Sequence, residues 1–133
     1  MKSKQLNPKI LNHYSGQIVN SAMKVHSKLG PGLLESAYEV CLVYELRNRG
    51  LNVSSQVARH VEYEGMKLDA GYRIDILVEN LIIIELKAVK EISPLHIAQT
   101  LSYIKLSNLK LGLLINFNTV SLKDGIHRIV NKF

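Results

Sequence analysis

The sequence predicts an α/β protein in which helices pack on a β-sheet, with elements in the order α-α-β-β-β-α-β-β. Three observations predict it. Up to Gly50 the apolar residues recur at helical steps of three and four. After Gly50 they alternate or run together, as strand residues do. A further helix with its own start signal then separates two apolar runs, "LIIIELKAV" and "LGLLINFN".

The elements follow in order. Asn7 suits the cap and Pro8 the first position of a helix whose apolar face is Leu11, Tyr14, Ile18, Ala22, Val25 and Leu29. Gly30, Pro31 and Gly32 end it, with Pro31-Gly32 fitting a type II turn that needs positive φ at its third residue. A second helix, from about Leu33 to Arg49, is closed by Gly50. "VSSQVARHVEYEG" reads as one strand or two short ones joined by a bend, and "DAGY" as a turn. "YRIDILV" and "LIIIELKAV" form a hairpin around Glu79-Asn80. Ser93 caps a third helix, with Pro94 first, that runs to about Asn108. "LGLLINFN" is a short apolar strand, and "GIHRIV" a last edge strand or a helical turn.

A chain of 133 residues is expected to form one domain, residues 1–133. A domain of that size buries roughly two thirds of the surface its unfolded chain exposes and needs no disulfide staple. The single cysteine, Cys41, excludes an internal disulfide and a cysteine-based zinc site, and fits a reducing compartment. No apolar run reaches the roughly 18 residues of a membrane span, and "MKSKQLNPK" lacks the apolar core of a signal peptide. The expectation is a cytoplasmic protein with no membrane partner. A net charge of +6, from 17 Lys and Arg against 11 Asp and Glu, permits a polyanionic partner. The positive residues are scattered, so charge alone does not establish one.

Chemistry enters with the hairpin. Glu85 and Lys87 end an apolar strand two residues apart, so they share a face. Asp75 is the other acidic residue inside a strand of this hairpin. A two-residue turn would set Asp75 opposite Ile84 and turn Glu85 to the other side of the sheet. A three-residue loop, Glu79 to Leu81, sets Val78 opposite Ile82 and Asp75 opposite Glu85, and Asn80 tolerates the left-handed backbone such a loop requires. The three-residue loop is predicted. Tyr72, Ile74, Ile76 and Val78 would then line the opposite face with Ile82, Ile84 and Leu86. Two carboxylates brought together with little water repel, so one keeps its proton unless a cation neutralises the pair. Lys87 pairing with both acids is one solution, and a hard divalent cation such as Mg²⁺ is the other.

The order Asp75, nine intervening residues, then Glu85-Leu86-Lys87 resembles the PD-(D/E)xK nuclease superfamily, with Ile74 where that family often has proline. "GLLESAY" (Gly32 to Tyr38), "ELKAV" and "GLLINF" resemble the GxxExxY group within it, and Gln99-x-x-x-Tyr103 resembles an element of its RecB-like branch. The likeness runs from the first helix through "HRIV". It implies a restriction-endonuclease-like core, a central mixed sheet flanked by helices. It also implies metal-dependent hydrolysis of phosphodiester bonds, in DNA rather than RNA. Asp75 and Glu85 would hold Mg²⁺ or Mn²⁺, with Glu35 completing the metal shell. Lys87 would act on the nucleophile or the phosphate, and Gln99 and Tyr103 would lie near the substrate.

Each role has a plainer counterpart. Glu35 in a first helical turn is favoured by the exposed amides there. Tyr38 on the same side of the helix packs against the sheet. Gln99 and Tyr103 fit an amphipathic helix as well as a substrate site, and Asp69 is a reserve acid should Asp75 point away. A chain this short leaves little room for a separate DNA-reading module, so selectivity would come from the same face, from a homodimer or from a partner protein. The alternative function is an accessory protein that keeps the fold and binds nucleic acid with little or no catalysis.

Overall fold

The computed structural model describes residues 7–132. The leader-free reading of "MKSKQL" falls outside that range. The elements are α1 (Pro8–Leu29), α2 (Glu35–Asn48), β1 (Val53–Tyr63), β2 (Met66–Val78), β3 (Ile82–Lys87), α3 (Pro94–Leu106), β4 (Leu111–Asn116), a 3₁₀ turn (Leu122–Gly125) and β5 (Ile126–Val130). Their order is the one the sequence predicts. The five strands lie side by side as β1-β2-β3-β4-β5. All pairs are antiparallel except β3 with β4, which are parallel and joined through α3.

The sheet separates two apolar layers. Leu11, Ile18 and Ala22 of α1, with Tyr38, Leu42 and Leu46 of α2, pack on Ile76, Val78, Ile82, Ile84 and Leu86. On the other face α3 sets Ile104 among Tyr72, Ile74, Leu77, Ile83 and Leu114. Strand β3 is covered on both sides, which is why it reads as an unbroken aliphatic run.

The start signals act as predicted. The Asn7 side chain accepts from the Lys9 amide at 2.9 Å, and Pro8 takes the first helical position. Ser93 accepts from the His96 amide, and His96 Nδ1 accepts in return from the Ser93 amide at 3.0 Å. His96 thus completes a capping box.

Other expectations need correction. Leu29 lies exposed at the end of α1, and α2 begins at Glu35, leaving Leu33 and Leu34 in the exposed turn. "DAGY" is not a turn: Asp69 to Tyr72 lie inside β2, and the chain reverses earlier, at Glu64-Gly65, both with positive φ. Gly71 is required there because a Cβ would stand 2.4 Å from the Arg59 carbonyl oxygen across the ribbon.

Two contacts set the layers. The Tyr38 hydroxyl donates to the Gly30 carbonyl at 2.6 Å and accepts from the Leu33 amide, while its ring stacks on Phe117 with centroids 4.5 Å apart. Tyr38 is fully buried, so it packs, as its plainer reading held. Tyr38→Phe is expected to lower stability by about 1–3 kcal/mol, read by chemical denaturation, because the Gly30 and Leu33 groups lose their buried partner. Gly112 lets α3 approach β4, since a Cβ there would meet Ile104 Cδ1 at 2.5 Å and the Ile83 carbonyl at 3.3 Å. Gly112→Ala is expected to cost about 1–3 kcal/mol by overpacking, seen as a lower melting temperature.

Candidate active site

The hairpin closes through three residues. Val78 pairs with Ile82, the Leu81 amide donates to the Val78 carbonyl at 2.9 Å, and both Glu79 and Asn80 have positive φ. This register sets Asp75 level with Glu85, as predicted. The backbone ladder between β2 and β3 stops at Ile76–Ile84, and side chains continue it. The Asp75 amide donates to Glu85 Oε2 and the Leu86 amide donates to Asp75 Oδ2, each at 2.9 Å. Each carboxylate therefore acts as the missing strand partner of the other's segment.

The same level continues into β1. Ser55 pairs with Ile76 and Val57 with Ile74, which puts Gln56 beside Asp75. Gln56 has φ +52 and drops out of the ladder, so the backbone at Asp75 is released on both flanks. The two-residue alternation slips there. Ile76 and Val78 face α1 and α2 as expected, but Tyr72 and Ile74 pack with α3 instead. The expectation that Tyr72 and Ile74 share a face with Ile76 fails for this reason.

Glu85 is 4% exposed. Its pKa is pushed up to about 8, first by burial and then by the charge of Asp75; the Asp75 amide and the more weakly acting Lys87 ammonium oppose the rise. Its Oε1 and Oδ1 of Asp75 take no hydrogen bond from the described residues. The one sealed side-chain atom left unpartnered among them is Ser21 Oγ, so Glu85 Oε1 reaches solvent. Each acid thus gives one oxygen to the backbone and leaves the other without a hydrogen bond among the described residues. Two hard oxygens that repel one another, open to water, fit a small divalent cation that keeps several waters of its own.

Lys87 closes β3, half-buried and level with Asn116 of β4. No ion pair holds it among the described residues, where the pair formed is Lys24–Glu45 at 3.1 Å. The sequence-based alternative, Lys87 bridging both acids, is therefore not what the structure contains. Its position is fixed by the backbone. The Phe117 amide donates to the Lys87 carbonyl, and buried Asn116 exchanges two hydrogen bonds with Val89, at 3.0 and 2.9 Å. Asn116 escaped the sequence analysis, although an amide side chain inside "LLINF" was a usable signal.

Glu35 takes the first position of α2 and is exposed. Its charge reaches Glu85, but among the described residues no three His, Cys, Asp or Glu side chains converge as a metal cage. The structure thus brings Asp75 and Glu85 together and leaves Glu35, the third acid of the expected metal shell, exposed at their margin. One turn along α2, Glu39 faces the same region, and Gln56 Nε2 donates to both of its carboxylate oxygens, at 2.8 and 3.0 Å. Burial raises the Glu39 pKa, with Asp75 and Glu35 adding to the rise. The four-residue step from Glu35 was the signal for it.

From the other side Tyr103 stacks on Tyr72, centroids 4.8 Å apart, and its phenol is raised by burial and then by Glu85 and Asp75. Gln99, one turn earlier, is exposed and makes no hydrogen bond among the described residues.

Residues 12–129 match the family model described as the PD-(D/E)XK nuclease superfamily. No curated protein matches the chain significantly. Among solved structures, the crystal structure of SSO0001 shares the fold with a TM-score of 0.54 at 19% identity, covering 74% of this chain and 51% of that one. The chain thus spans about half the length of that protein. No helix among the described residues is long and apolar enough to cross a membrane.

Proposed function

Because the chain belongs to the PD-(D/E)XK nuclease superfamily, we propose that it is a metal-dependent nuclease that hydrolyses phosphodiester bonds in DNA. Within the superfamily we place it in the GxxExxY group of the RecB-like branch, on "GLLESAY" and Gln99-x-x-x-Tyr103. We take residues 1–133 as a single catalytic domain. The observation that carries the reading is the exchanged pair, Asp75 and Glu85, each anchored through one oxygen with the other left for a ligand.

In this reading Asp75 and Glu85 would hold Mg²⁺ or Mn²⁺ through the carboxylate oxygens they do not give to the backbone. Such an ion supplies Lewis acidity toward phosphate and lowers the pKa of bound water. The chain's own groups do the rest. Lys87, without an ion pair among the described residues and one strand step beyond Glu85, donates to the attacking water or to a phosphate oxygen as its charge grows. Glu35, exposed beside the pair, would complete the metal shell. Tyr103 offers its phenol to the substrate on the α3 side, with Gln99 a turn away.

The test is nicking of supercoiled DNA with Mg²⁺ or Mn²⁺, compared with chelator and with Lys87→Ala. Cleavage by the wild type alone, and only with metal, is the expected result. Equal cleavage by both proteins overturns the assignment of this site, and DNA binding without cleavage favours the accessory alternative.

A further inference from the structure

The sheet has two edges, β1 and β5. β5 is five residues long, whereas β1 runs for eleven. Helix α2 guards the start of β1, where Arg47 donates to the Val53 carbonyl and Gln56 donates to Glu39. Past Gln56 that guard ends. Among the described residues, the backbone from Val57 to Tyr63 makes no hydrogen bond beyond its pairing with β2.

This stretch also lacks the devices that usually blunt an edge. "VARHVEY" holds no proline and no lysine. The bulge in the ribbon lies on β2, where Leu68, Asp69 and Ala70 span the gap that Val61 alone spans on β1, so the outer strand stays regular. β2 pairs with β3 only from Ile76 to Val78, so beside Val57–Tyr63 the sheet is two strands wide. A two-stranded ribbon is marginal in water, and a further strand steadies it.

The edge complements itself. Two copies related by a two-fold axis normal to the sheet pair antiparallel, with each face continuous across the seam. One residue then lies opposite its own counterpart. With Arg59 or Glu62 at that centre, like charges meet. With His60 there, Glu62 faces Ala58 and Arg59 faces Val61. With Val61 there, unlike groups meet: His60 faces Glu62 on one side of the sheet and Arg59 faces Tyr63 on the other, each pair twice. Arg59 has no ion pair among the described residues and Tyr63 is 60% exposed, so the guanidinium can lie on the phenol ring.

We propose that the Val57–Tyr63 edge docks the same edge of a second copy, centred on Val61, and joins two five-stranded sheets into one. The pairing stands apart from the nuclease reading. Where that reading holds, the axis sets both Asp75–Glu85 pairs in a single sheet. A seam this short lies at the small end of specific interfaces, so the dimer is weak and depends on concentration.

The test is analytical ultracentrifugation of the full chain, from about 10 μM to about 1 mM, a range suited to a weak dimer. The wild type should pass reversibly from monomer to dimer. Glu62→Lys and His60→Glu each set like charges across the seam at two symmetric places, and each should weaken the dimer about tenfold or more. His60→Glu with Glu62→Lys restores unlike charges and should recover most of the affinity. Because Val61 opposes itself, Val61→Cys with an added oxidant should give a reducible covalent dimer, which peptide mapping assigns to that position rather than to Cys41. Tyr44→Cys, on the exposed face of α2, should not.

A wild type that stays monomeric throughout overturns the seam and leaves the edge to a different partner. A dimer indifferent to both charge reversals, or a double variant as weak as the single ones, overturns it too. So does a Val61→Cys protein that cross-links no better than Tyr44→Cys. If the wild type dimerises through this edge yet cuts no DNA, the seam stands and the nuclease reading falls. Cleavage by a protein that is monomeric at every concentration gives the reverse.

Discussion

Lys87→Ala is expected to lower metal-dependent DNA cleavage by about 10²–10³-fold, the usual cost of removing one donor aimed at developing phosphate charge. The folded protein should survive the change. Lys87 is half-buried at a strand end, and what holds the backbone there is its carbonyl, which accepts from the Phe117 amide and is untouched by the substitution. Among the described residues the ammonium is bound to no acid, so no partner is orphaned. Losing the Lys87 charge also removes the weak downward pull on Glu85. Kinetics separate the roles: a fall in kcat with KM nearly unchanged marks a group acting in the transition state. A rise in KM alone would make Lys87 a substrate anchor and overturn the catalytic assignment.

Glu85→Gln carries the second large effect, in two directions at once. Cleavage should fall about 100-fold or more, because the cation loses one of two anionic ligands while the shape is kept. Stability without metal should rise. The folded-state pKa of Glu85, about 8, lies above its ordinary 4.5. Below pH 4.5 the group is protonated in folded and unfolded chains alike, and its favourable contribution is fully present. As pH climbs from 4.5 to 8 the unfolded chain ionises while the folded one does not. Stability then falls, by up to about 1.4 kcal/mol per pH unit. Above 8 the loss levels off. Gln carries no such slope and still accepts from the Asp75 amide. Melting curves in chelator from pH 5 to 9 should therefore show a gap between Glu85→Gln and wild type that widens with pH and flattens near 8. Parallel curves would mean that Glu85 is not the strained group. Added Mg²⁺ should narrow the gap, because ionised Glu85 then has a counter-charge and the variant does not respond.

Much of this was legible because the signals are local. Asn7, Pro8, Ser93 and Pro94 mark helix starts by their own chemistry, and the structure uses each as written. The hairpin register was legible for a stronger reason: only one loop length brings two acids level, and the alternative would bury Glu85 on an apolar face. What escaped depends on partners distant in sequence. The slip at Asp75 arises from Gln56 on β1, nearly 20 residues away in the chain, through a left-handed backbone that no local pattern announces. Asp69 and Gly71 looked like a turn because Asp and Gly usually are one. Here the glycine answers a close carbonyl across the ribbon instead. Glu39 and Asn116 act on groups that only the fold brings near them. Glu35 was chosen for its motif, and the fold leaves it exposed in the first turn of α2.

The stack of Tyr38 on Phe117 has a mechanical meaning. Through its hydroxyl, Tyr38 grips the turn that launches α2 and Glu35. Through its amide, Phe117 grips the end of β3, where Lys87 sits. One aromatic joint therefore ties the turn before α2 to the end of β3. Whatever displaces the front of α2 strains the same stack that braces the strand end carrying Lys87.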